Sequence, residues 1–197
     1  MAAILSQRFY MQPPLEVARR LIGKRLVLAS EGGICSGRIT ETEAYIGTDD
    51  PACHAFKGRR GANEAMFARG GIAYVYFTYG VHFMLNVVVG PTDFPVAILI
   101  RAVAPEAGVE AMRVRRGIKD VSRLARGPGN LCRAFGIDKR HNGIELSGPV
   151  LWLESTRVTG TIKTSPRVGI GDRWADKLWR FYLAGDPSVS GPGRWRK

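Results

Sequence analysis

Glu43 and Tyr45 end the run Arg38-Ile39-Thr40-Glu41-Thr42-Glu43-Ala44-Tyr45, and His54 follows in a polar loop. Tyr74, Tyr76 and Tyr79 come next, within Tyr74-Val75-Tyr76-Phe77-Thr78-Tyr79-Gly80. A carboxylate can take up a proton or steady a growing positive charge. A histidine can hydrogen-bond the edge of a ligand or stack on its face. Tyrosine rings offer rigid, flat surfaces for stacking. These groups lie close together in a chain of net charge +12. They imply a flat aromatic ligand, acid–base chemistry beside it and a polyanion outside. An enzyme that handles a nucleobase is the expectation.

The case for each residue has a plainer alternative. Side chains alternate along a strand, so Ile39, Glu41, Glu43 and Tyr45 are expected on one face, with Thr40, Thr42 and Ala44 on the other. Glu43 would then sit beside a ligand stacked on Tyr45, or be a surface glutamate paired with one of many arginines. His54 could equally be a solvated loop side chain. Tyr74 is expected in the core or in a mixed setting. Tyr79 falls at a turn beside Gly80, where an exposed ring can enter a base step as a wedge.

The elements that must position these residues are mostly strands. Arg25 to Ala29 and Ile34 to Tyr45 read as a hairpin around Ser30-Glu31-Gly32-Gly33. Ile72 to Thr78 and Val81 to Val89 read as strands flanking Tyr79-Gly80. Pro95 to Val103, Val150 to Leu153, Arg167 to Ile170 and Leu178 to Leu183 supply the remaining strands. Helices are expected after Pro13-Pro14, over Pro105 to Arg116, and over Pro128 to Phe135 with Gly136 as the stop. Asn63 to Ala68 reads as one or two helical turns. The tail from Ser188 to Lys197 is expected to fray. Strands and helices mix without regular alternation, so the fold class is α+β in a single domain over residues 1–197.

Composition narrows the partners. At 197 residues, with 45% hydrophobic and 23% charged residues, the chain can bury a core without staples. Twenty-nine Lys and Arg against seventeen Asp and Glu favour nucleic acid, with an anionic membrane as runner-up. Arg113, Arg115, Arg116, Lys119, Arg123 and Arg126 form one basic cluster, and Lys57, Arg59, Arg60 and Arg69 flank the His54 loop. Both are candidate phosphate tracks. Gly127-Pro128-Gly129-Asn130 could present N–H groups to a phosphate at a helix start. Cys35, Cys53 and Cys132 form no CxxC pair, which argues against structural zinc and for a reducing compartment. No lysine, arginine, aspartate or glutamate occurs from Gly70 to Thr92, a length that could span a bilayer. Gly80, His82 and Asn86 inside that stretch, with its Tyr, Val and Phe, fit two buried strands better. No Walker A, GxGxxG-to-helix, GxSxG or HExxH motif is present.

In order along most of the chain, these residues resemble one family, the alkyladenine (3-methyladenine) DNA glycosylases. The likeness runs from Arg38–Tyr45 through His54, Met66-Phe67, Tyr74-Val75-Tyr76 and Tyr79-Gly80 to Asn86. It resumes at Arg101-Ala102, Arg126–Cys132, Arg167-Val168-Gly169-Ile170-Gly171 and Arg180-Phe181-Tyr182. The resemblance implies hydrolysis of the N-glycosidic bond of alkylated or deaminated purines flipped out of damaged double-stranded DNA. It implies that Glu43 activates water, that Tyr45, His54 and Tyr76 enclose the base, and that Arg101 lines the same site. Asn86 would reject normal guanine, and Tyr79 would fill the gap in the stack. It further implies a curved, largely antiparallel sheet with a protruding hairpin that intercalates. The enzyme would need neither metal nor cofactor, would have no lyase activity, and would act as a cytoplasmic, nucleoid-associated monomer. The loop Lys57-Gly58-Arg59-Arg60-Gly61-Ala62 departs from the pattern of larger relatives. The main rival is a non-enzymatic binder that stacks tyrosines on single strands, a reading that gives Glu43 no role. An RNA-acting enzyme and a membrane-surface protein are weaker rivals.

Overall fold

The computed structural model describes residues 2–171 and 174–191. Among the described residues, eight strands form one sheet in which every pairing is antiparallel. They are β1 (Arg25–Ser30), β2 (Gly33–Ile46), β3 (Ala73–Thr78), β4 (His82–Val88), β5 (Val96–Ala107), β6 (Leu151–Glu154), β7 (Ile162–Ser165) and β8 (Arg180–Leu183). The main order is β3-β4-β5-β2-β1-β6, and β8 pairs with both β2 and β7. The sheet curls into an open half-barrel, and the fold is the expected α+β class in one piece.

The helices are short: α1 (Gln7–Tyr10), α2 (Pro14–Leu21), α3 (Val109–Arg116), α4 (Val121–Leu124) and α5 (Pro128–Phe135). α5 shows why these lengths suffice. Pro128 opens it, where a missing N–H goes unnoticed, and Gly136 closes it in the left-handed conformation at φ 81°. Between them Leu131, Cys132, Ala134 and Phe135 are buried. α2, α3 and α5 cover one face of the sheet. The main core forms there from Leu21, Ile39, Ala44, Leu85, Ile98 and Phe135, among others. Each such side chain contributes about 1.5–3 kcal/mol by leaving water. A second, smaller cluster lies apart from it: Cys53, Ala55, Met66, Phe67, Tyr74, Val88 and Ala97, with Tyr45 and Tyr76 against it. Alternation along the strands separates the two. Val75, Leu85, Val87, Ile98 and Ala44 belong to the first, while Tyr74, Val88, Ala97 and Tyr45 belong to the second.

Several expectations need correcting. Ile39 does not share a face with Glu41, Glu43 and Tyr45; it packs in the main core with Ala44. The cause is an irregular stretch of the β2–β5 ladder, with register shifts at Ile39/Glu41 and Glu41/Thr42. Thr40 is an extra residue on β2, and Arg101 is an extra residue on β5 between Ala102 and Ile100. Two bulges in succession bend both strands and turn Arg101 toward the acidic side chains of β2. Arg167 to Ile170 is a loop, not a strand. Pro105 belongs to the end of β5, so α3 starts later than expected. α1, α4 and β7 were not anticipated: two single-turn helices and a short strand carry too little periodicity.

The segment expected to fray begins well anchored. Ser188 is buried, and the Ser190 backbone N–H donates to Glu41 at 2.7 Å; residues 192–197 of that segment lie outside the described residues. The three cysteines are buried free thiols. Among the described residues no helix is long and apolar enough to cross a membrane.

Ile39→Ala is expected to cost about 2–5 kcal/mol, the loss typical of a fully buried large aliphatic residue. Guanidinium denaturation measures it; an unchanged midpoint would place Ile39 on the open face after all.

Candidate active site

One row of directly opposed residues crosses the sheet: Tyr74 on β3, Asn86 on β4, Leu99 on β5, Glu43 on β2 and Arg180 on β8. Tyr76 faces Met84, and Tyr45 faces Ala97. Apart from Glu43 and Arg180, these side chains make the floor and walls of a cavity of about 600 Å³. His54, from a 3₁₀ turn at His54–Lys57, and Met66 form one rim. Val168–Gly171 and the start of α5, Gly127–Asn130, form the other. Tyr45, His54, Tyr76, Tyr79, Asn86 and Arg101 all line this space. The residues singled out from sequence, separated by dozens of positions, are therefore brought together.

Glu43 is the exception, and an informative one. It is fully buried and lies just behind the wall rather than in it. Its three hydrogen-bond partners, Tyr45, Arg101 and Val168, do line the cavity. The Tyr45 hydroxyl donates to Oε2 at 2.9 Å, Arg101 Nη1 donates to the same oxygen at 3.3 Å, and the Val168 N–H donates to Oε1 at 2.6 Å. Burial raises the Glu43 pKa; Arg101, the Val168 N–H and the Tyr45 hydroxyl pull it back, and Glu41 adds a smaller upward push. Burial also lifts Tyr45 well above the usual phenol range, so it stays protonated and able to donate.

Arg101 is held from behind. Its Nε donates to Glu41 Oε1 at 2.9 Å, and Arg180 Nε reaches the same oxygen at 2.6 Å. Ser190 adds its N–H and its hydroxyl to Glu41. Two carboxylates and two guanidiniums thus form one closed, neutral, hydrogen-bonded group, the condition under which buried charges are tolerated. Burial is the largest influence on Arg101 and acts downward; the two carboxylates outweigh it, and its pKa is raised.

The aromatic wall is equally constrained. The His54 and Tyr76 rings lie 4.3 Å apart, and His54 Nδ1 is 2.7 Å from the Tyr74 hydroxyl. His54 is open toward the cavity, yet the rings around it desolvate the imidazole and lower its pKa, which favours the neutral form. Burial pushes Tyr76 up to about 12. Asn86 Nδ2 donates to the Tyr74 carbonyl at 3.1 Å, which fixes the carboxamide. Tyr79 stands at the β3–β4 tip, 70% exposed, with φ 53°. A left-handed tyrosine is uncommon and mildly strained. Beside left-handed Gly80 it makes the tight turn that twisted hairpins favour, and it lifts the ring outward.

Sequence reasoning missed Glu41, Arg180, Ser190 and Val168 as supports of the site. Glu41, Val168 and Arg180 fell inside motif blocks without being assigned a role, and Ser190 fell in none. Part of the basic cluster also has a structural role. Arg113, Arg115, Arg116 and Arg126 each donate to a backbone carbonyl, so these side chains tie loops and helix ends together. Near His54, Lys57 and Arg60 border a smaller cavity of about 400 Å³ that shares His54, Tyr74 and Tyr76 with the main one. Among the described residues no cluster of three or more His, Cys, Asp or Glu side chains has metal-binding geometry.

Comparison with known proteins identifies the family. The model of the Methylpurine-DNA glycosylase (MPG) family matches residues 8–187. The chain belongs to the methylpurine-DNA glycosylase family. A relative from Chlamydia pneumoniae, named "Putative 3-methyladenine DNA glycosylase", is 41% identical over 94% of this chain and 97% of its own length. Relatives of the same name from Prosthecochloris aestuarii and Methanocella arvoryzae are 45% and 42% identical, covering 92% and 95% of this chain and 88% and 96% of their own. Methylpurine-DNA glycosylases are DNA-repair hydrolases that remove bases.

The raised Glu43 pKa has a sign that stability measurements can read. A carboxyl that binds its proton more tightly when folded makes the native protein lose stability as pH rises from the ordinary glutamate value to the folded one. Glu43→Gln is expected to remove that loss. Relative to wild type, the variant should gain stability as pH climbs above about 4.5 and plateau beyond the folded pKa. Denaturant titrations across a pH series check this; a difference independent of pH would mean that Glu43 has an ordinary pKa.

Proposed function

We propose that this protein hydrolyses the N-glycosidic bond of a damaged purine flipped out of double-stranded DNA, acting as a monomer and using water activated by Glu43. The substrates are alkylated or deaminated bases of the 3-methyladenine, 7-methylguanine and hypoxanthine type. The observation that carries this reading is a buried carboxylate directly behind the floor of an aromatic-walled cavity of purine-nucleoside size.

A base can reach the cavity only after leaving the stack, at a cost of a few kcal/mol that is least for damaged bases. The exposed Tyr79 ring at the hairpin tip fills the gap. Tyr45, Tyr76 and His54 enclose the everted base. Against electron-rich rings a cationic base gains about 0.5–2 kcal/mol, and a cationic base is also a good leaving group. Asn86, held by the Tyr74 carbonyl, meets the edge of the base and discriminates against guanine.

As the bond breaks, the sugar becomes oxocarbenium-like. Glu43 opposes that charge and takes the proton of the attacking water. Water reaches it through the wall, and the Arg101 contact at 3.3 Å, the longest of its three hydrogen bonds, is the one that yields. The raised pKa suits a base: a carboxylate that is harder to ionise is a better proton acceptor once ionised. Among the described residues no lysine lines the cavity, which favours water over an amine nucleophile and so hydrolysis without strand cleavage.

Glu43→Gln is expected to slow single-turnover release of methylpurines from methylated duplex DNA by about 10²–10⁴-fold while duplex binding persists. A variant that releases base at the wild-type rate would remove Glu43 from the chemistry. The non-enzymatic reading predicts no release by the wild type at any enzyme concentration. Tyr79→Ala is expected to weaken capture of the everted nucleotide by about 1–3 kcal/mol of lost stacking, with little change in melting temperature. A large fall in melting temperature would mark that ring as part of the core.

A further inference from the structure

The block Arg167-Val168-Gly169-Ile170-Gly171 stood out in sequence, but only Val168 and the residues after it touch the cavity. Arg167 is turned the other way. Its side chain and that of Asp50 are both fully buried. Arg167 Nη1 donates to Asp50 Oδ2 at 2.6 Å and Nη2 to Oδ1 at 2.9 Å. Nη1 also reaches the Ala44 carbonyl at 3.0 Å. The guanidinium carbon lies 4.7 Å from the Tyr45 ring centre and 5.0 Å from that of Trp179. Asp50 in turn accepts from the N–H groups of Ile46 and Ala52.

This pair joins two segments that both contribute to the cavity lining. Asp50 fixes residues 46–52, which supply Pro51 and Ala52 to the lining and lead into His54. Arg167 fixes the residue next to it, whose N–H meets Glu43 at 2.6 Å. A buried ion pair is a poor device for stability alone, because desolvation offsets much of the attraction. Here the guanidinium Nε is also buried without a hydrogen-bond acceptor. What the planar fork does supply is direction: two parallel bonds on Asp50 and contact with two rings leave Arg167 little freedom.

We propose that Arg167 and Asp50 are positioning residues, a buried clamp between the two cavity loops that aims the Val168 N–H at Glu43 and seats the Tyr45 ring. The proposal rests on Glu43 acting as the base. Neither residue touches the everted nucleotide. The groups that face Glu43 are Arg101 from β5, Glu41 and Tyr45 from its own strand, Tyr76 from β3, Arg180 from β8 and the Val168 N–H. Within the clamp the two charges cancel.

The test reads the pH dependence of single-turnover methylpurine release from methylated duplex DNA, using the full chain. Arg167→Lys keeps the charge and loses the fork. Asp50→Leu with Arg167→Met removes both charges and restores apolar packing, so it carries the test if the lysine variant does not fold. The Val168 N–H stabilises the ionised form of Glu43. Losing its aim should move the acid limb of the profile up by about one pH unit. The plateau rate should fall by about ten- to a hundredfold with duplex affinity unchanged. A folded variant with the wild-type limb and plateau would overturn the clamp. Absence of release by the wild type would instead overturn the glycosylase reading itself.

Discussion

The structure turns on Glu43, a carboxyl group set behind the cavity wall in a desolvated place, where any negative charge must be offset from within the protein. An isolated carboxylate in that position would take up a proton and become an inert acid. Arg101 opposes this without cancelling the effect of burial, and it is held in place by Glu41 while Arg180 holds Glu41. Four charged side chains from β2, β5 and β8 therefore behave as one neutral unit. The price is geometric: β2 and β5 must bulge at Thr40 and Arg101, which a regular ladder would not allow. Ser190 then closes the back of the unit, so a segment far along the chain supports the charge balance at the cavity floor.

That arrangement explains the division of the fold. The face with α2, α3 and α5 is an ordinary apolar core and supplies most of the stability. The other face holds tyrosines, an asparagine and buried charge, and several of its groups sit there against local preference. Tyr79 occupies a left-handed conformation, Arg167 leaves an N–H without an acceptor among the described residues, and the Glu43 carboxyl sits in a desolvated place. Sites that work on a substrate commonly hold such locally unfavourable groups, sustained by a well-packed remainder.

Much of this was legible in the sequence, for physical reasons. Short apolar runs bounded by turn residues marked β1 to β5, because these strands are buried over much of their length, on both faces in β2 and β5. Pro128 and Gly136 marked the ends of α5. Tyr45, His54, Tyr76, Asn86, Arg101 and Tyr79 were named from residue type together with motif resemblance, and they share one cavity. The bulges were not legible, since nothing local distinguishes Thr40 from its neighbours, and so Ile39 was assigned to the wrong face. Glu41 and Arg180 were missed because their role depends on pairing across strands 139 positions apart. The carbonyl contacts of Arg113, Arg115, Arg116 and Arg126 were not legible either, because a charge run reveals nothing about the carbonyls it will meet.

The central claim is that Glu43 is a buried base with a raised pKa, poised behind a base pocket. Carbon-13 NMR of glutamate carboxyls, with Glu43 assigned by comparison with Glu43→Gln, measures it directly. The account predicts a carboxyl that titrates above 4.5, at the same pH as the acid limb of methylpurine release. A carboxyl that titrates at or below that value, in an enzyme whose release rate shows no matching limb, would contradict it.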